Sequence, residues 1–146
     1  MAWKGVADKR ESEEVGVQTQ KGKEEIPIYS EPPLKEIVDN TLKKLFTSCG
    51  MKLNVKGDDA TTLSAEIREF YVGVEKKLLT GKSRAVSSIA FLTRHGQQSS
   101  TVVVGFEMES KKIRSGKLKQ LEKTLNELFI ETIKQIPETK EMRELK

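Results

Sequence analysis

Hydrophobic positions along the chain change their period several times, and each change marks an element. Residues 3–8, WKGVAD, read as a short strand. Residues 9–25 are polar and charged, broken by Gly16 and Gly22. They read as a long loop with a short extended piece at Val15-Gly16-Val17. Ile26-Pro27-Ile28-Tyr29 reads as an extended edge segment, because Pro27 has no amide hydrogen to give a central strand. Over residues 30–50 the period lengthens. Leu34, Ile37, Val38, Leu42, Leu45 and Phe46 recur at the three-and-four spacing of one helix face. Ser30 or Glu31 is the expected cap, with a proline in the first turn where no helical hydrogen bond is lost. Gly50 is placed to adopt the left-handed stop.

Residues 51–55 alternate, and KGDD then turns the chain. Leu63, Ala65 and Ile67 alternate, as do Phe70, Val72 and Val74, but three residues separate the trios instead of two. A bulge near Arg68-Glu69 restores the facing; a strand that changes sheet neighbours there is the alternative. Residues 84–94 form another strand, HGQQS a hairpin turn with Gly96 as the permissive residue, and residues 100–110 the last strand. A final helix carries Leu118, Leu121, Leu125, Leu128, Phe129, Thr132 and Ile136 on one stripe, with Ser115 as its cap and Pro137 as its stop.

The order is strand, helix, a run of antiparallel strands, helix. Two amphipathic helices each need an apolar surface, and one sheet face is large enough for both. The expected fold is therefore α+β: a two-layer sandwich, mostly antiparallel, with both helices packed on one face in β-α-β-β-β-α order. Residues 1–137 form a single domain with a long polar loop at 9–25, and residues 138–146 a charged, frayed tail.

The chain has 146 residues, which suits one domain. Its 26 basic and 22 acidic residues leave a net charge of only +4, so a dedicated nucleic-acid surface is not expected. No apolar run approaches the roughly 20 residues of a membrane span. Cys49 is the only cysteine, which excludes an intramolecular disulfide and any multi-cysteine metal site.

The chemistry-bearing residues are sparse. His95, the one histidine, lies in a turn with no nominated nucleophile or partner. GDD at 57–59 lacks the spaced oxygens of a calcium loop. TGKS at 80–83 lacks the first glycine and the following helix of a phosphate loop. No catalytic, cofactor-binding or metal-binding residue is nominated. The lopsided stretch at 111–123 carries a net +5 and suits anionic headgroups or phosphates, or else a solvated connection. In the last two strands both faces look partly apolar. Val102, Val104, Phe106 and Met108 share one face and Val103 takes the other, while Ile89 and Phe91 alternate with Ala90 and Leu92. The candidate interaction surface is Ile89, Phe91 and Val103 with Lys111, Lys112 and Arg114 beside them. The alternative is that the long N-terminal loop covers the open face.

The stretch VADKRESEEVG, with Asp8, Arg10, Val15 and Gly16 at its marked positions, resembles the opening of the YajG-type bacterial lipoprotein family. The following IPIYSEPPLKEIVDNTLKKLFTSCGMKL and the closing helix fit the same layout across nearly the whole chain. That layout is also similar to small outer-membrane lipoproteins that assist transporters or lipopolysaccharide assembly. The resemblance implies a native protein on the periplasmic side of a bacterial outer membrane, held there by a lipid anchor. It also implies a secretory leader and a lipidated cysteine trimmed from ahead of Trp3; an ordinary cytosolic start is the alternative. No activity transfers to named residues. The expected function is a non-enzymatic envelope domain acting as a binding or assembly accessory, with an envelope protein or a second copy as partner. The alternative is a carrier for a lipid or lipopolysaccharide-like amphiphile, with anionic lipid at the basic stretch. A small hydrolase is a third class without a nucleophile to support it.

Overall fold

The computed structural model describes residues 1–18, 26–53, 61–74, 83–110, 118–139 and 143. Its elements are β1 (Ala2–Asp8), β2 (Gly16–Gln18), β3 (Ile26–Ile28), α1 (Leu34–Ser48), β4 (Thr61–Val74), β5 (Ser83–His95), β6 (Gln98–Ser110) and α2 (Leu118–Lys134). They build one open six-stranded sheet in the order β3-β2-β4-β5-β6, with β1 also paired to β4. β4, β5 and β6 form the expected antiparallel meander. β1 and β2 instead lie end to end along the other edge of β4, both parallel to it. The short extended piece expected at Val15-Gly16-Val17 within the long loop is β2: Val15 and Val17 are buried, and β2 pairs antiparallel with β3.

The β4–β5 register shifts between Ile67 and Glu69, where the spacing of the two trios calls for a bulge. The extra residue keeps Leu63, Ala65 and Ile67 on the same face as Phe70 and Val72. All five are buried. Partners across a ladder share a face, so Ile89 and Val104 lie on the buried side with Ile67, and Phe91 and Val102 with Ala65.

Both helices cover that side. Phe46 of α1 packs edge-on against Phe91, with ring centroids 6.1 Å apart, and against Trp3 at 5.7 Å. Thr132 of α2 hydrogen-bonds to Ser87, which sits on the same face of β5 as Phe91. α1 buries Leu34, Val38, Leu42 and Phe46, one residue per turn. Its start differs from expectation. The cap position is Pro33, and no side chain caps the helix. Two successive prolines push Ser30 to Pro32 toward extended backbone, too early to reach the first amides. Its end is as expected. Gly50 takes a φ of +86°, Gly50 N–H donates to Thr47 O at 3.0 Å, and Met51 N–H donates to Phe46 O at 3.0 Å. That bond pair is the Schellman stop, and it buries Met51 beside Phe46. On α1's outer flank, Asp39 accepts the Trp3 indole N–H at 2.8 Å and pairs with Lys43 at 2.9 Å, tying helix to β1.

The α2 stripe is less apolar than its leucines suggest, because Thr124 and Thr132 are buried in it with Leu121, Leu128 and Ile136. Thr132 donates to Leu128 O at 2.6 Å, Ser87 bonds to Thr132, and Phe106 N–H donates to Ser87 Oγ at 3.1 Å. This chain of hydroxyls satisfies every polar atom it buries. The proposed cap Ser115, the alternation beyond Leu53, the GDD stretch and TGKS up to Lys82 lie outside the described residues, as does most of the tail; Ser83 opens β5.

The aromatic seam makes a testable claim about stability. Phe46→Ala should cost about 3–5 kcal/mol in urea unfolding, because it opens a cavity between Trp3 and Phe91. Ile130→Ala, on the exposed side of α2, should change stability by less than about 0.5 kcal/mol.

Candidate functional site

Between Asp8 and Gly16 the chain takes eight steps while β4 takes five, from Ile67 to Val72. The three surplus residues must leave the sheet. Lys9 N–H still donates to Ile67 O at 2.9 Å, and Val72 N–H donates to Val15 O at 2.9 Å, so the excursion departs and returns within one run of the β4 edge. Arg10 closes it. Its Nε and Nη2 donate to the two oxygens of Asp8 at 2.9 and 2.6 Å, and Nη1 reaches Glu14 O at 3.2 Å. Asp8 also accepts the Arg10 backbone N–H at 3.2 Å. The Arg10 side chain is only 7% exposed. Its hydrogen bonds hold the Asp8 carboxyl below its ordinary pKa; burial opposes them, while the Arg10 amide and the charges of Arg10 and Lys35 add to the lowering.

This clamp delivers Val15 and Gly16 to the sheet. Val15 is bonded on both sides, its N–H donating to Ile28 O at 2.8 Å. Gly16 must lack a side chain, because a Cβ there would stand 2.5 Å from Val72 O. Asp8 and Arg10 thus fold the excursion, and Val15 and Gly16 dock it.

What they position is a cleft. On the helix-covered face, the first turn of α1 and the N-terminal half of α2 stand apart over the β2–β3 end of the sheet. The gap has a volume of about 640 Å³. Val15 and Phe70 line it from the sheet, Pro27, Ile28 and Tyr29 from β3 and the turn after it, Leu34 and Ile37 from α1, and Leu125 and Phe129 from α2. Phe70 and Phe129 meet edge-on at 6.3 Å. The charged residues in the lining are Glu31 and Glu122, with Ser30 and Asn126 beside them. Tyr29 is 58% exposed at the mouth. A smaller depression of about 210 Å³, lined by Asp8, Arg10 and Lys35, shares Tyr29, Ser30 and Leu34 with the cleft. An apolar hollow with a few polar groups at its border can hold an apolar side chain or chain segment.

Sequence reasoning does not locate this cleft. Its lining comes from five separate elements, and only Tyr29 stands out as an exposed aromatic in the chain. The interaction surface read from the alternation is corrected instead. Ile89 and Phe91 are 0% and 1% exposed, under the helices, whereas Val103 is 51% exposed on the opposite side. The residues were grouped across the sheet because alternation alone does not say which strand's odd positions match which. The free face carries Thr62, Ser64, Glu66, Ser88, Ala90, Leu92, Thr101 and Val103, mixed in character. Lys111, Lys112 and Arg114 lie outside the described residues. His95 is exposed, and its Nδ1 meets Thr61 Oγ1 at 2.6 Å. Among the described residues no three His, Cys, Asp or Glu side chains gather to hold a metal, and no helix is long and apolar enough to cross a membrane.

A profile described as "Uncharacterized lipoprotein" matches residues 5–145. Among solved structures, an uncharacterized protein superposes with a TM-score of 0.54 at 16% identity, covering 99% of this chain and 92% of its own. Protein XCC0632 from Xanthomonas campestris, of the DUF330 family, gives 0.45 at 16% identity, covering 95% and 90%. A minor lipoprotein from Acinetobacter baumannii gives 0.36 at 12% identity, covering 91% of each chain. The first of these supports the fold alone. No curated protein matches the sequence.

The clamp has a pH signature. A carboxyl held low contributes stability that is full above its unfolded pKa, about 3.9, and that is lost as pH falls through the lower folded value. Asp8→Asn should unfold more easily at neutral pH by about 1–3 kcal/mol. Its loss of stability below about pH 4 should be shallower than that of the parent chain. Urea midpoints measured from pH 7 down to pH 2 test both; parallel curves for the two proteins would remove Asp8 from the account.

Proposed function

The chain belongs to the uncharacterized-lipoprotein family, and from that premise we propose that it is a non-enzymatic, membrane-tethered domain of the bacterial envelope that works by binding. Its site is the cleft between α1 and α2. The observation that carries this reading is the apolar lining of that cleft, gathered around the Phe70–Phe129 pair and left open at the surface.

The occupant that suits it is an apolar segment of an envelope protein. The two charged lining residues, Glu31 and Glu122, are acidic, which opposes an anionic headgroup at the mouth and so weighs against the lipopolysaccharide-like amphiphile. In this reading the tether is no part of the folded domain, and Cys49 serves as the end of α1, its N–H donated to Leu45 O at 3.0 Å. The lipoprotein family supports an envelope address, and the proposal places it on the periplasmic side of the outer membrane. Binding also fits better than hydrolysis. Among the described residues His95 faces a hydroxyl with no carboxylate to orient it, at an exposed strand end outside the cleft lining.

The test is capture from an envelope extract with the parent chain, Ile37→Glu and Leu125→Glu side by side, with protein and lipid analysed in each eluate. Circular dichroism first establishes that the variants fold. A protein captured by the parent and reduced at least tenfold by both substitutions is the expected result. A stoichiometric lipid lost with the same substitutions would instead establish the carrier reading. Capture unaffected by either variant would remove the cleft from the function.

A further inference from the structure

The two edges of the sheet are treated differently by the sequence. One edge is made of two short pieces, the three-residue β3 with Pro27 at its centre and the seven-residue β1, which pairs with β4. Pro27 cannot donate, so the β3 piece is a poor template for another strand. The other edge is β6, thirteen residues long. Between Gln98 and Glu107 it has neither a proline nor a charge, and it carries Ser99, Ser100, Thr101, Val102, Val103 and Val104 in succession. Natural sheets usually guard such an edge with lysine, proline or a bulge.

The direction of the backbone groups on β6 follows from its register. The hairpin closes on His95 opposite Gln98, so even-numbered residues of β6 bond toward β5 and odd-numbered residues point away. An independent contact agrees: Gln135 Nε2 donates at 2.7 Å to Gly105 O, an odd-numbered carbonyl on the outer side. That bond caps the far half of the edge. The N–H and C=O groups of Ser99, Thr101 and Val103 remain on the outer side with no partner among the described residues.

We propose that this segment pairs with the same segment of a second copy, antiparallel, with the two-fold axis at Thr101. Thr101 then faces its own counterpart, and Ser99 faces Val103 of the second copy on either side. All three are hydrogen-bonded pairs, and a threonine pair is a favourable cross-strand neighbour. The half-exposed Val103 side chain gains cover. Charge selects the direction. Arg94 lies exposed at the hairpin end of the strand pair, and at the other end Glu107 pairs with Arg84 of its own chain at 2.7 Å. Antiparallel pairing sets the Arg94 end of each copy beside the charge-balanced Arg84–Glu107 end of the other, whereas parallel pairing would bring the two Arg94 ends together. The contact is isologous and closes as a dimer, so it does not propagate. It uses the opposite end of the sheet from the cleft and stands or falls without it.

Analytical ultracentrifugation of the purified chain over a concentration series tests the pairing, with Thr101→Pro and Val103→Lys as variants. Thr101→Pro removes an outward donor at the axis, and Val103→Lys places like charges on both flanks. The expected result is a monomer–dimer equilibrium in the parent chain, with the dissociation constant raised at least tenfold by each variant while the far-ultraviolet circular dichroism is kept. A parent chain that stays monomeric up to millimolar concentration, or a dimer that tolerates both Thr101→Pro and Val103→Lys, would overturn the proposal.

Discussion

β4 is longer than any strand beside it on its N-terminal side, and the fold is the solution to that mismatch. A fourteen-residue strand needs its backbone groups satisfied along its whole length. β5 does this on one side. On the other side the chain covers β4 in two instalments, β1 and then β2, separated by residues it must eject. The Asp8–Arg10 pair makes that ejection compact. A forked guanidinium held by a carboxylate two residues away spends its remaining donors on the carbonyls of the same excursion, so one side chain satisfies several groups that would otherwise face the interior. Without it, Val15 would have no fixed route back to Val72.

The bulge after Ile67 lies opposite that excursion, on the same stretch of β4. Both irregularities serve one end: they keep a single face apolar from β1 to β6. That face accepts both helices. α1 settles over β1 and the Trp3–Phe46–Phe91 seam, while α2 runs from Gly16 and Leu121 toward Ser87, Gly105 and β6. α2 passes from Leu121 beside Gly16 to Gln135 on Gly105. The cleft is the space left between α2 and the first turn of α1, with Val15 and Phe70 on its sheet side.

Much of this was legible in the residues. The two helices, the meander, the bulge and the Gly50 stop each follow from local period or from one residue's backbone freedom. The parallel course of β1 and β2 was not legible, because pairing direction is a property of two distant segments and neither carries it alone. Nor was the role of Thr124 and Thr132, since a buried hydroxyl is acceptable only when its partner is known. The assignment of Ile89 and Phe91 to an outer surface failed for a related reason. Alternation divides a strand into two faces but leaves unsaid which is covered; the ladder partners decide it, and they place Ile89 beside Ile67. The cleft was out of reach because its lining is gathered from five separate segments, and nothing within any one of them says which others it will face.

The cleft and the free edge of β6 occupy opposite ends of one sheet, with β4 and β5 between them. A dimer across β6 would extend the sheet in its own plane and leave both clefts open at its far ends. Binding in one would not crowd the other. Two elements join the sites: the β4–β5 ladder, and α2, whose Leu125 and Phe129 line the cleft and whose Gln135 holds Gly105 O on β6. Two copies joined in this way would present two clefts at once, and a pair tethered to one membrane would gain residence time from effective concentration.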